Sequence, residues 1–363
     1  MAATVSKSTV SESTVSKSTV SIAGREIGPG QPCFVIAEMT ANHDQDLDRA
    51  LKLVDIAADA GCDALKLQTY TADTMTVTSG HPSTRVDPMW GHPDLYSLYR
   101  TASMPWEFHA PIFKRAAERG MIAFSSAFDA TSVDLLESLQ VPAYKIASFE
   151  MVDLPLLRKI AATGKPVILS TGMSTLAEVD EAVTTLRGCG CTELILLHCC
   201  SSYPAPPESV NLRAMDTMRT LYGTPVGFSD HTVGSAVAVA AAARGADVVE
   251  KHFTDDPSRP GPDHRFSVDQ ATLTRLVAEI RIAQSAIGSG VKQAQASEIE
   301  SKRVGRRSLF SARALKAGEI IMAEDVRVVR PGVGLHPRYR EIVIGRPARI
   351  DIPEGHPLTW DSV

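Results

Sequence analysis

From about residue 33 onward the chain alternates short apolar runs with amphipathic stretches of helical length. The apolar runs fall at Cys33–Ala37, Ala64–Leu67, Ile122–Ser125, Ala143–Ala147, Val167–Leu169, Leu194–His198, Val226–Phe228 and Val248–Glu250. The helical periodicity is clearest at Leu47–Ala60, Trp106–Arg119, Leu176–Arg187, Val233–Arg244 and Ala271–Ile287. Such a rhythm predicts repeated βα units on a parallel sheet. Eight units of this size match a closed (β/α)8 TIM barrel, so the expected fold class is α/β.

A barrel gathers its active site at the C-terminal ends of its strands, which makes the residues there informative. Lys66 and Lys145 interrupt otherwise apolar strands, where a charge needs a partner. His231 and His252 end the seventh and eighth runs, with Asp230, Glu250, Lys251 and Asp263 nearby. Imidazole is a common ligand for first-row metals and can also serve as a general base, so two strand-end histidines point to chemistry. The segment Thr69–Pro105 is too long for a simple βα loop and carries Trp90, Tyr96 and Tyr99. Read as a long loop without regular structure, it is expected to be a substrate wall or lid, or equally an interface.

The two ends of the chain differ from the middle. Residues 4–21 repeat a polar pentamer beginning Thr-Val-Ser, which cannot bury enough surface to offset ordering entropy, so 1–29 is expected to be a flexible tail. The barrel is placed at 30–288. Around Ser289–Arg303 the composition turns polar, and 289–302 is read as a linker. Beyond it, 303–363 shows short strands punctuated by glycine and proline, the pattern of a small β-rich module.

Composition narrows the function. Of 363 residues 44% are apolar, which supports a sizeable core, and the net charge of −5 with no Lys/Arg block argues against nucleic-acid binding. No apolar run approaches the ~18 residues of a membrane span, and a cytoplasmic location is the default. The six cysteines lack zinc-site spacing and read as free thiols.

Several dispersed segments then carry a resemblance. Ile36–His43, Lys66–Tyr70, Tyr144–Glu150, Ser170–Gly172, Ser229–Thr232, Glu250–Phe253 and Gly261–Asp263 together resemble the sialic acid synthase family. Arg306–Leu309, Arg330–Gly332 and Asp351–Gly355 resemble that family's C-terminal antifreeze-like (SAF) domain. The wording is most similar to the pseudaminic acid synthases, notably Ala41-Asn-His43, Gln68–Thr76, Pro105–His109 and Arg330–Pro337. The resemblance covers the chain from about residue 30 to its end. Departures fall at Ser125–Asp129 and Cys199–Tyr203, beside the phosphate and sugar walls.

The resemblance implies a transferase that condenses phosphoenolpyruvate with the open-chain aldehyde of an N-acetylated hexose, giving a nine-carbon 2-keto acid and phosphate. It implies Lys66, Lys145, Ser148 and Ser170, with Ser125 as a further candidate, for the phosphoenolpyruvate. His231 and His252 would hold a divalent metal, Mn2+ or Mg2+. Glu150 is the expected base, with Asp263 assisting and also touching the sugar, and Lys145 is counted among the catalytic groups. Glu38, Gln68 and Tyr203 are expected to hold the sugar. Arg330 of the small module would reach the site of a neighbouring subunit, implying a swapped homodimer. The acceptor implied is 2,4-diacetamido-2,4,6-trideoxy-L-altrose; N-acetylneuraminate and legionaminate synthesis are the alternatives, and a catalytically silent sugar-binding protein a third. Because a trideoxy sugar ends in a methyl group, Trp90, Tyr96 and Met39 are expected to form an apolar wall.

Overall fold

The computed structural model describes residues 19–87 and 91–363, in two compact units that divide between Ile287 and Gly288. In the first, eight parallel strands close into a barrel: β3 (Phe34–Glu38), β4 (Ala64–Thr69), β5 (Ile122–Ala127), β6 (Tyr144–Ile146), β7 (Val167–Ser170), β8 (Leu194–Cys199), β9 (Val226–Asp230) and β10 (Val248–His252). β10 pairs back onto β3, and this closure removes both sheet edges. The strands run a residue or more beyond several of the apolar runs, into positions such as Glu38, Ser170 and His252.

Helices α1 (Leu47–Asp59), α4 (His109–Glu118), α5 (Ala130–Ser138), α6 (Leu154–Ala161), α7 (Leu176–Gly188), α8 (Ala214–Tyr222), α9 (Ala236–Ala243) and α10 (Gln270–Ile287) cover the outside. Their apolar faces meet the outward-pointing strand residues, among them Val35, Leu65, Leu67, Tyr144 and Val249, in the principal core. Helix α7 shows how locally its start is encoded: Thr175 accepts from the Glu178 amide, while the Glu178 carboxylate accepts from the Thr175 amide at 2.7 Å.

Two expectations need correction. The flexible tail was drawn to residue 29, but β1 (Val20–Ile22) and β2 (Arg25–Ile27) form an antiparallel hairpin. Val20, Ile22 and Ile27 are buried against Phe34, Ile36, Phe124 and Ile195, so the hairpin stops the N-terminal mouth of the barrel. The polar repeat hid this: Val20 and Ile22 before the Ala23–Gly24 turn and Ile27 after it share one face of the hairpin. Residues 1–18 lie outside the described residues. The segment after β4 is not structureless either; it contains α2 (Ala72–Met75) and α3 (Leu95–Ala102), the latter capped by Asp94, which accepts from the Ser97 amide at 2.7 Å.

The second unit holds a short α-helix, Ile299–Gly305, and a two-stranded antiparallel ladder of β11 (Ser308–Ser311) and β12 (Val326–Val329). Its own small core includes Leu309, Leu315, Ile321, Val343, Ile352 and Leu358. Among the described residues no helix is long and apolar enough to cross a membrane.

Candidate active site

Strand parity decides which polar side chains meet. Phe34, Ile36, Ala64, Phe124, Ala143, Ile168, Leu197 and Val248 fill the barrel interior. Successive side chains alternate faces, so two residues beyond Ile36, Ala64, Phe124, Ala143, Ile168, Leu197 and Val248 the same face carries Glu38, Lys66, Ser126, Lys145, Ser170, Cys199 and Glu250. An apolar floor thus gives way to one polar layer at the C-terminal rim. Above it opens a cavity of about 610 Å³, a size that suits a small-molecule site.

The two lysines are held differently. The Lys66 ammonium lies 3.0 Å from Glu38 and 3.0 Å from Glu250, and Ser229 donates to Glu250 at 3.0 Å. Burial works against charge on Lys66, but the two carboxylates overcome it and hold its pKa up. Burial raises the Glu38 carboxyl; burial would raise Glu250 too, but Lys66 and Lys145 hold it down. Lys145 has no ion-pair partner among the described residues. Its ammonium donates to Ser170 Oγ at 2.6 Å and to the Ile146 carbonyl at 3.0 Å. Burial pushes its pKa down to about 8, with Glu250 pulling the other way and Lys66 adding to the fall. A buried ammonium without a counter-ion, bonded to one hydroxyl and one carbonyl, is a site for an anion.

A glycine completes that wall. The Gly172 amide donates to Ser148 Oγ at 2.9 Å, and Ser148 in turn contacts Cys199 Sγ at 3.1 Å. A Cβ at Gly172 would stand 2.2 Å from Ser201 Oγ and 2.8 Å from Cys199 Sγ, so only glycine lets the backbone come this close.

His231 and His252 face each other with ring centroids 5.3 Å apart. His231 Nδ1 donates to the Cys200 carbonyl at 2.8 Å, which leaves a lone pair on Nε2. His252 Nδ1 is buried without a partner. Burial pushes both pKa values down, His231 to about 4, so both rings are neutral at pH 7 and in the ligand form. Their donor set fits a divalent ion that takes its remaining ligands from water and substrate. Among the described residues no group of three or more His, Cys, Asp or Glu side chains is gathered for a metal. The Tyr203 ring stacks 4.3 Å from His231.

Glu150 ends a 3-10 turn (Ser148–Glu150) after β6. Burial raises its carboxyl to about 7, and its Oε2 is buried without a partner. Asp263 also borders the cavity and accepts from the Thr40 hydroxyl and, at 3.3 Å, from the Ala41 amide; burial raises its pKa. The loops bearing Thr40 and Asp263 are clasped by Asn42, whose Nδ2 donates to the Phe253 carbonyl at 2.7 Å and to Ser267 Oγ at 2.9 Å.

Of the residues singled out in the sequence, Lys66, Gln68, Lys145, Ser148, Glu150, Ser170, Tyr203, His231, His252 and Asp263 all border this one cavity. Ser125 does not. It has the outward parity of Leu65 and Leu67 and is bonded at 2.6 Å to Thr69, which also contacts His109, so it is corrected to a structural position in the wall. Glu38 has no exposed surface, does not border the cavity, and is tied to Lys66 and, at 2.9 Å, to Gln68. Arg330 is exposed on the second unit. Met39 lies in the core, Tyr96 is bonded to Asp73 outside the cavity lining, and Trp90 lies outside the described residues. Glu250 and Ser229, which border the cavity, were missed as site residues; Glu250 shares its strand face with His252 two positions on, a parity signal present in the sequence. Lys251 has the opposite parity and pairs with Asp230 at 2.8 Å behind the barrel wall.

Fold and rim together define a barrel enzyme with an anion pocket beside an imidazole pair. Residues 53–292 match the NeuB family and residues 306–363 the SAF domain. The chain belongs to the NeuB family, the sialic acid synthases, and carries its C-terminal SAF domain. It is 37% identical over 334 residues to the pseudaminic acid synthase of Helicobacter pylori, covering 92% of this chain and 98% of that one. To the N,N'-diacetyllegionaminic acid synthase of Legionella pneumophila it is 38% identical over 343 residues, 93% and 96% of the two chains. The crystal structure of N-acetylneuraminic acid synthetase from Leptospira borgpetersenii, in complex with citrate, matches with a TM-score of 0.71 at 32% identity, covering 78% of this chain and 95% of that one.

Proposed function

We propose that the protein is a nonulosonic acid synthase that condenses phosphoenolpyruvate with 2,4-diacetamido-2,4,6-trideoxy-L-altrose, giving pseudaminic acid and phosphate. One observation carries the reading: the Lys145 ammonium, which has no ion-pair partner among the described residues, and its Ser170 partner share a cavity with two neutral imidazoles and a carboxyl held near pH 7.

In this mechanism Lys66, Lys145, Ser148 and Ser170 hold the carboxylate and phosphate of phosphoenolpyruvate through charge-assisted hydrogen bonds. The incoming anion favours the charged form of Lys145, opposing the effect of burial. His231 and His252 would hold a divalent ion, Mn2+ or Mg2+, whose chemistry is to polarise the sugar's aldehyde. Gln68, Tyr203 and Asp263 orient the sugar so that the enol carbon of phosphoenolpyruvate meets the aldehyde carbon. As that C–C bond forms, the carbonyl π electrons pass to the aldehyde oxygen, which takes up a proton to become a hydroxyl, and C2 becomes cationic. Glu150 stabilises the positive charge and takes a proton from the water that adds to C2. The resulting adduct expels phosphate by C–O cleavage and leaves the keto acid.

Mass measurement of the product after incubation with phosphoenolpyruvate and each candidate sugar tests the reading. Turnover of N-acetylmannosamine alone would reject the pseudaminate assignment. Bridging ¹⁸O is expected to leave with phosphate; label retained in the keto acid contradicts the mechanism. Chelation is expected to abolish turnover, and Mn2+ or Mg2+ to restore it.

A further inference from the structure

The cavity turns apolar beside the segments that follow β4 and β5, across the barrel from the ends of β9 and β10 that bear His231 and His252. Met75 closes α2, Leu98, Tyr99 and Ala102 project from α3, and Phe128 and Tyr70 lie with them along the same lining. Tyr70 meets Tyr99 and Phe128 edge to face, with centroids 5.9 and 5.2 Å apart. Met75, Leu98, Tyr99 and Phe128 are half-buried yet belong to none of the three hydrophobic cores, so their apolar surface is turned to the cavity. The nearest hydroxyl on α2 is already engaged, since Thr74 donates to the Thr71 carbonyl at 3.0 Å. Tyr96, on the other side of α3, donates to Asp73 of α2 at 3.0 Å and fastens the two helices together.

We propose that this pair of short helices, chiefly Met75 and Leu98 facing Phe128, is the specificity-determining wall for an acceptor sugar whose far end is a methyl group rather than a hydroxymethyl group. The proposal rests on the synthase reading above, in which the aldehyde end lies at the imidazole pair and the opposite end of the sugar therefore faces α2 and α3. Met75, Leu98 and Phe128 offer no hydrogen-bonding group to a terminal hydroxyl, which beside them would lose water without gaining a partner, whereas a methyl group exchanges water for apolar contact. A difference of this kind in an apolar pocket discriminates by roughly 10- to 200-fold in kcat/KM.

The test compares 2,4-diacetamido-2,4,6-trideoxy-L-altrose with its 6-hydroxy counterpart, using the full-length wild-type enzyme, Leu98→Asn and Leu98→Met. The wild type and Leu98→Met are expected to favour the deoxy sugar at least tenfold. Leu98→Asn is expected to cut that preference at least fivefold, mainly by losing the deoxy substrate, with KM for phosphoenolpyruvate unchanged. Equal use of both sugars by the wild type, or a preference unmoved in a folded Leu98→Asn, overturns the wall while leaving the synthase reading standing. Turnover of N-acetylmannosamine with neither altrose overturns the wall and the pseudaminate assignment together. No turnover of any of these sugars or of the legionaminate acceptor, despite bound phosphoenolpyruvate, overturns the synthase reading itself.

Discussion

At the scale of single residues the site is a set of unequal electrostatic bargains. Lys66 is charged because two carboxylates flank it, whereas Lys145 is left to be completed by a ligand. Glu150 is the group whose titration falls in the working range. With its pKa raised to about 7 by burial, it is protonated below that value and available as a base above it. The rate is therefore expected to fall tenfold per unit as pH drops below about 7, and a kcat/KM profile checks this. Glu150→Gln should remove that acid limb and lower kcat by roughly 10²- to 10⁴-fold. The same shift predicts a stability effect. A carboxyl whose folded pKa lies above its unfolded value costs stability once pH exceeds the unfolded value, and the cost is complete above the folded one. Glu150→Gln should therefore melt higher than wild type at pH 8 and show little gain at pH 4.

At the scale of elements, alternation along the strands and the stopper at the barrel's base do most of the positioning. The inward side of each strand runs from apolar floor to polar rim in two residues, so a register slip would turn the whole layer outward. Gly227 marks where two strands come too close for a side chain: a Cβ there would lie 2.4 Å from the Val248 carbonyl oxygen and 2.8 Å from Leu197 Cδ2. Gly227→Ala is expected to cost about 1–3 kcal/mol by overpacking, measurable by denaturant unfolding. The β1–β2 hairpin is tested in the same way. Ile22→Ala should cost about 2–5 kcal/mol while leaving KM for phosphoenolpyruvate unchanged, because Ile22 sits at the mouth opposite the rim.

At the scale of the whole molecule, the reading that Arg330 serves a neighbouring subunit makes a prediction that single variants cannot. Arg330→Ala and Glu150→Gln should each be weak alone. If Arg330 crosses between subunits, mixing the two proteins under exchange conditions restores activity, because one site in each mixed dimer keeps both groups. Each variant's activity simply averaging in the mixture would show that Arg330 acts within its own chain or not at all.

The architecture and most of the rim were legible in the order of residues along the chain. Eight apolar runs spaced by amphipathic stretches leave little choice but a closed βα barrel, and strand-end polar residues in such a barrel converge whatever the loops do. His231, His252, Lys66, Lys145 and Glu150 were legible for that reason. Tertiary structure alone decided which polar residues look inward and which are already satisfied. Ser125 and Ser126 are neighbours in the chain, and only the register of β5 against β6 turns the first into the wall. Glu38 was legible as polar but not as spent on Lys66 and Gln68, and the wall formed by α2 and α3 involves residues brought together from separate segments. Burial, ion pairing and close approach are properties of pairs of residues, and a pair distant in the chain acquires them only when the chain has folded.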